Sequence, residues 1–168
     1  MQIPNRTMLT SYEDLFLKNG YGFRWNMNCN SNFSGLGAKF GICYLWTPYQ
    51  EFDSFNKFGF SYVAGELYAS YSFVINPQRL IIYGGIDYGR YILKYGFNDL
   101  AEQKGNWRAN VLGLQYYFTN WGMDGFSLGL QFMFPKKSIT QLEDNQYKLI
   151  IGNGPSYEIN IGWIISGS

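Results

Sequence analysis

The chain has 168 residues, of which 20% are aromatic and 15% charged, with a formal net charge of +1. A soluble domain typically carries about 25% charged residues, so this chain is poor in charge for one, and it lacks the basic excess of a nucleic-acid binder. No apolar run approaches the roughly 20 residues of a membrane helix, so any crossing of a bilayer is made with strands.

Met1–Gly20 lacks a basic start followed by an apolar stretch, so the chain reads as a mature form without a signal peptide, and Ser166–Ser168 reads as an appended tail. Residues 1–9 hold Ile3, Thr7 and Leu9 around Pro4 and make a weak first strand. Either that strand is short, or part of it precedes residue 1. Thr10–Gly20 is then expected to be a loop.

From Tyr21 onward the pattern is a period of two. Tyr21, Phe23, Trp25, Met27 and Cys29 alternate with Gly22, Arg24, Asn26, Asn28 and Asn30. After a short turn, Leu36, Ala38, Phe40, Ile42, Tyr44 and Trp46 alternate with Gly35, Gly37, Lys39, Gly41 and Cys43. Successive side chains of a strand point to opposite faces, so each segment has one apolar side and one polar, glycine-rich side. Thr47–Gly59 reads as a long polar loop. Phe60–Ile75 sets Val63, Leu67, Tyr71 and Phe73 against Tyr62, Glu66, Tyr68, Ser70 and Ser72. Asn76-Pro77-Gln78 is a tight turn. Leu80–Tyr91 sets Ile82, Ile86 and Tyr88 against Tyr83, Gly85, Asp87 and Gly89, and a second long loop runs to about Gly105. Trp107–Phe118 and Phe126–Phe134 repeat the split across the short connection Thr119–Gly125. Pro135–Gln146 reads as a third long loop. Tyr147–Ile165 keeps one parity throughout, as a single strand kinked near Asn153-Gly154-Pro155 or as two strands with a turn there.

Connections thus alternate short and long, as in an antiparallel up-and-down transmembrane β-barrel with short turns at one end and longer loops at the other. Seven strands are clear from Tyr21, and an even-numbered barrel makes eight with a strand before it. Residues 1–20 form an N-terminal segment and 21–166 the barrel. Size decides which face is inside. An eight-stranded barrel has an interior just wide enough to be filled by side chains, so it cannot hold the large apolar residues of every strand, whereas glycine fits there. Tyr44, Trp46, Tyr88, Tyr116, Phe118 and Trp163 lie toward strand ends on the apolar face, as aromatics at headgroup level do.

Through Tyr21–Trp25 (YGFRW), Gly35–Gly41 (GLGAKFG), Gly84–Tyr88 (GGIDY) and the loop pattern, Tyr21–Ile165 resembles the small bacterial outer-membrane barrels of the OmpX, OmpA-transmembrane and OmpW type, including the PorT-like barrels of Bacteroidota. The resemblance implies an outer-membrane location in a Gram-negative bacterium and contact with outer-membrane lipid and lipopolysaccharide.

The inward face carries Arg24, Lys39, Glu66, Asp87 and Glu158. Turn midpoints place Arg24 across from Lys39, Lys39 across from Glu66, and Glu66 across from Asp87. Buried charges must be paired, which predicts a salt-bridged plug; the other reading is a gate or proton path. Arg90 and Arg108 point outward, flank one loop, and suit a pair of lipid phosphates or a loop salt bridge to Asp99 or Glu102. Cys29 and Cys43 fall on opposite faces, so no disulfide is expected. With no histidine in the chain, Ser-His-Asp catalysis is excluded. No spacing suggests a metal cluster and no cofactor is expected. The expected function is a non-enzymatic outer-membrane barrel with a plugged polar interior, acting in anchoring, adhesion or assembly. Its aromatic-bearing loops, with Tyr49, Phe52, Phe55, Phe58 and Phe97, would meet another envelope protein. The alternatives are a porin-like channel for small solutes or apolar ligands, and a soluble lipocalin-like binding barrel.

Overall fold

The computed structural model describes residues 5–9, 13–17, 20–30, 34–47, 50–53, 56–75, 78–96, 101–118, 125–136, 138–141, 148–151 and 155–164. Every element among them is a strand: β1 (Asn5–Leu9), β2 (Glu13–Leu17), β3 (Tyr21–Asn30), β4 (Gly35–Trp46), β5 (Gln50–Asp53), β6 (Asn56–Ile75), β7 (Gln78–Gly96), β8 (Ala101–Tyr117), β9 (Gly125–Pro135), β10 (Ser138–Gln141), β11 (Lys148–Ile151) and β12 (Ser156–Ile164).

Seven long strands pair antiparallel in the order β12-β9-β8-β7-β6-β4-β3 and curl into a half-barrel, with β5 also paired to β6. Alternation fixes the curl. Along β9 the burial pattern alternates from Gly125 to Phe134, with Ser127, Gly129, Gln131 and Met133 inside and Phe126, Leu128, Phe132 and Phe134 outside. A one-residue slip would exchange those sets, so the register is tightly specified. The convex side carries a broad set of large apolar residues: Leu36 is 81% exposed, Ile161 72% and Trp163 70%.

The strands outrun the sequence reading at one end. The expected loop 47–59 contains β5 and the start of β6, and the second expected loop narrows to 97–100 because Lys57 faces Gly96 and Tyr95 faces Ala101. The third contains β10. Pro135–Gln146 is therefore not one loop, nor is Thr10–Gly20, which contains β2. At this end polar residues such as Lys94, Lys104 and Asn106 take the outward face, so the apolar contrast that marks a strand weakens while the backbone ladder and the alternation of burial continue.

Tyr147–Ile165 holds two strands, β11 and β12, in different sheets: Ser138 faces Ile151 in one and Met133 faces Ser156 in the other, two pairs of one common register. The weak first strand is β1. It lies between β11 and β2, antiparallel to both, in a four-stranded sheet β10-β11-β1-β2. The edges of the half-barrel, β3 and β12, run in the same direction, because seven strands alternating up and down begin and end alike.

Glycine inside the curl has a specific task at two positions. Tyr83 faces Gly113 and Tyr91 faces Gly105 across the β7–β8 ladder. A Cβ on Gly113 would come within 2.4 Å of the Tyr83 ring, and one on Gly105 within 2.3 Å of Tyr91. Each ring lies flat over a glycine, so the interior takes large aromatics on one strand because the next strand gives up its side chain.

Candidate functional site

The inward-facing side chains divide into two layers. Toward the loop end lies an aromatic layer in which Tyr62 stacks on Trp107 with centroids 4.5 Å apart, and Phe60 stacks on Tyr91 at 5.9 Å. Leu45 and Leu93 are buried with them. Below it is the charged layer built from Arg24, Lys39, Glu66, Asp87 and Glu158.

Arg24 is the hub of that layer. Its Nε donates to Glu66 Oε1 at 2.5 Å, its Nη1 to Glu158 Oε1 at 2.9 Å and to Asn160 Oδ1 at 2.8 Å, and its Nη2 to Glu158 Oε2 at 3.1 Å. The guanidinium is a planar fork of five donors, which suits a bidentate grip on one carboxylate with a further bond to another. The three side chains are 8%, 0% and 7% exposed for Arg24, Glu66 and Glu158, so these are desolvated pairs. Arg24 lies on β3 and Glu158 on β12. The two edge strands of the half-barrel, which share no backbone ladder among the described residues, are thus tied by side chains.

Lys39 is 2% exposed, and its Nζ donates to Gln115 Oε1 at 2.9 Å and sits 4.0 Å from the Tyr83 ring centroid. A cation over an aromatic face is attracted by the ring quadrupole. Asp87 is fully buried and accepts from the Tyr68 hydroxyl at 2.5 Å. Around them Tyr83 donates to Gln131 Oε1 at 3.0 Å and Gln115 to Ser127 Oγ at 3.1 Å.

These charges do form a buried network, with different partners in part from those expected. Glu66 does face Asp87. The pairs Arg24–Lys39 and Lys39–Glu66 do not form: Arg24 faces Cys43, Lys39 faces Asn28 on one side and Tyr68 on the other, and Gly41 faces Glu66. The two turns are centred one to two residues later than the sequence suggested, which moves each partner along the strand while leaving its face unchanged. Glu158 had no assigned partner and becomes half of the main clamp, a pairing between first and last long strands that only the curl of the sheet creates. Tyr68, Tyr83, Gln115 and Asn160 complete the network. Their inward parity was readable, but their bonds were not. Arg79 is also an interior residue, at 2% exposure, hidden from sequence by its place beside the Asn76-Pro77-Gln78 turn.

Outside the wall, Arg90 and Arg108 are exposed on one face, Arg90 opposite Asn106 and Arg108 opposite Tyr88, so they are diagonal neighbours across β7–β8. Lys94 and Lys104 continue the patch, which sequence reading missed. The expected salt bridge from these arginines to Glu102 is replaced by lysine pairs: Glu102 meets Lys104 at 2.8 Å and Lys94 at 3.8 Å. The nearby lysines hold the Glu102 carboxyl below the usual range, chiefly through the Lys104 hydrogen bond. Asp99, Tyr49, Phe55 and Phe97 lie outside the described residues, as do the side chains of Phe52 and Phe58. Cys29 is exposed and Cys43 buried, both as free thiols.

Comparison with protein-family models, curated proteins and solved structures finds no match. The functional reading therefore rests on the geometry of this chain.

Proposed function

We propose that the chain is a non-enzymatic β-barrel of a bacterial outer membrane, with its polar interior plugged, and that it serves as an anchoring or assembly subunit through its loop end and outer wall. One observation carries the reading: the polarity of the sheet is inverted. Trp25, Ile42, Leu67, Ile86, Leu114, Leu128 and Ile159 are exposed while Arg24, Lys39, Glu66, Asp87 and Glu158 are buried or nearly so. Water disfavours such a surface, because a soluble monomer rarely exposes contiguous apolar patches beyond a few hundred Å2. Hydrocarbon favours it.

The dimensions agree. On β7 the outward apolar run goes from Leu80 to Tyr88 and ends at Arg90. At about 3.3 Å per residue that is roughly 27 Å along the strand, and a tilt of about 40° reduces it to about 20 Å, close to the roughly 25 Å band of outer-membrane barrels. Arg90, Arg108, Lys94 and Lys104 then stand at headgroup height, where cations suit the phosphates of lipopolysaccharide. Above them the strands β5 to β8, β10 and β11 form a collar rather than slack loops, and this collar is the surface offered to another envelope protein.

The test is refolding. The purified chain should fold in detergent or vesicles, with a heat-modifiable gel shift and β-type circular dichroism, and should aggregate in plain buffer. A folded, monodisperse protein in plain buffer would favour the lipocalin-like binder instead. Planar-bilayer recording separates the plug from the channel: the Tyr62–Trp107 stack and the Arg24 clamp predict no stable openings, and regular ohmic openings would overturn the plug.

A further inference from the structure

Three interior ligand-type side chains converge, and the Cys43 thiol, beside Glu66, is the one donor among them. Cys43, Glu66 and Asp87 sit on β4, β6 and β7 and all face inward; the thiol sulfur and one oxygen from each carboxylate lie within 4.8 Å of one another. All three residues are buried. The outer oxygens are already occupied, Glu66 Oε1 by Arg24 and Asp87 Oδ1 by Tyr68. Glu66 Oε2 and Asp87 Oδ2 are buried and have no hydrogen-bond partner. A buried acceptor left so costs about 1–3 kcal/mol, more when charged, so two of them beside a thiol call for a positive species.

Charge counting says the same. Counted with every group ionised, this layer holds two cations, Arg24 and Lys39, and three carboxylates, Glu66, Asp87 and Glu158, which leaves one negative charge in a low-dielectric interior. We propose that Cys43, Glu66 and Asp87 form a binding site for one divalent metal ion of the zinc class. Binding displaces the Cys43 thiol proton to solvent and forms a sulfur–metal bond, so the layer gains two positive charges and one negative and becomes neutral. A thiolate with two carboxylates selects a borderline-soft ion over magnesium or calcium, which take oxygen donors. Three protein ligands leave a fourth position for water. Arg24 and Tyr68, which grip the outer oxygens, orient the two carboxylates as outer partners of a metal site do. A cavity of about 400 Å3 between β3 and β12, lined by Arg24, Cys43, Glu158 and Asn160 among others, gives an ion a route to the sulfur. Sequence spacing could not show this site, since its ligands are spread over three strands and meet only across the sheet.

The proposal holds whether or not the chain spans a membrane, so its test uses the chain folded in whichever medium supports it. The chain is stripped with a chelator and titrated with Co2+, then Zn2+ is added in competition. One equivalent of Co2+ should give tetrahedral visible bands and a thiolate-to-cobalt charge-transfer band, with about one proton released per ion. Zn2+ should erase both. Cys29→Ser should keep the spectrum and Cys43→Ser should lose the charge-transfer band. Tyr68→Phe should weaken affinity about 10- to 100-fold. X-ray absorption of the zinc-loaded wild-type chain needs no variant and should find a single sulfur in an otherwise oxygen shell. A shell without sulfur, binding that depends on Cys29, or no stoichiometric binding would overturn the site, the last meaning that a shared proton holds the two carboxylates.

Discussion

Arg24→Met is the sharpest probe of the interior. The substitution keeps the length of the stem and removes the charge, and with it four hydrogen bonds to Glu66, Glu158 and Asn160. Two carboxylates, 0% and 7% exposed, then lose their cation. Breaking one buried pair by deleting a partner costs about 3–5 kcal/mol, and here a single deletion orphans two, so the loss should reach at least that range. It should also loosen β3 from β12, since Arg24 spans those edges. The triple variant Arg24→Met/Glu66→Gln/Glu158→Gln removes the orphaned charges along with the cation and should recover more than half of the loss, a coupling readable from the cycle of single and multiple variants. The assay is urea unfolding in detergent micelles followed by tryptophan fluorescence. A cost below about 1 kcal/mol for Arg24→Met, the value of an exposed pair, or strictly additive effects, would show that the clamp does not form.

Further outcomes test other parts of the molecule. Leu114→Arg on the outer wall should cost about 2–4 kcal/mol in vesicles, whereas Asn106→Arg, higher on the same face, should cost about 0–1; equal costs would refute the depth assignment. Gly113→Ala forces a Cβ into the Tyr83 ring and hydroxyl and should destabilise, and Gly113→Ala/Tyr83→Phe should recover only part of the loss, because the ring edge still stands in the way; unchanged unfolding midpoints would refute that packing. Charge reversal of Arg90 and Arg108 to Glu should reduce lipopolysaccharide retention during purification while leaving the gel shift intact. Retention that is unaffected would remove lipid phosphate from their role. Shortening 48–57 should leave the barrel folded and abolish capture of an envelope partner, with capture that persists placing the contact elsewhere on the collar.

Faces were legible in the sequence because they are a local property. A strand alternates its side chains whatever its neighbours do, so Arg24, Lys39, Glu66, Asp87 and Glu158 could be placed inside and Arg90 and Arg108 outside from parity alone. Glycine against large aromatics then chose the polar side as the interior, on volume alone. The short turn at 76–77 also fixed the β6–β7 register, which is why Glu66 and Asp87 face each other as expected.

Partners were legible only where a tight turn set the register. A turn centre misplaced by one or two residues leaves every residue on its face and changes whom it meets, which is how Lys39 came to Gln115 and Tyr83 instead of Glu66. The collar was hidden for a related reason: there the outward face turns polar at Lys94, Lys104 and Asn106, so the apolar-outside contrast weakens, although burial still alternates and the backbone still pairs. The convergence of Cys43, Glu66 and Asp87 depends on the register of the neighbouring strands β4, β6 and β7. The Arg24–Glu158 clamp lay beyond any local pattern: it depends on how far the sheet curls, and that curl sums small twists over seven strands before bringing the first long strand to the last.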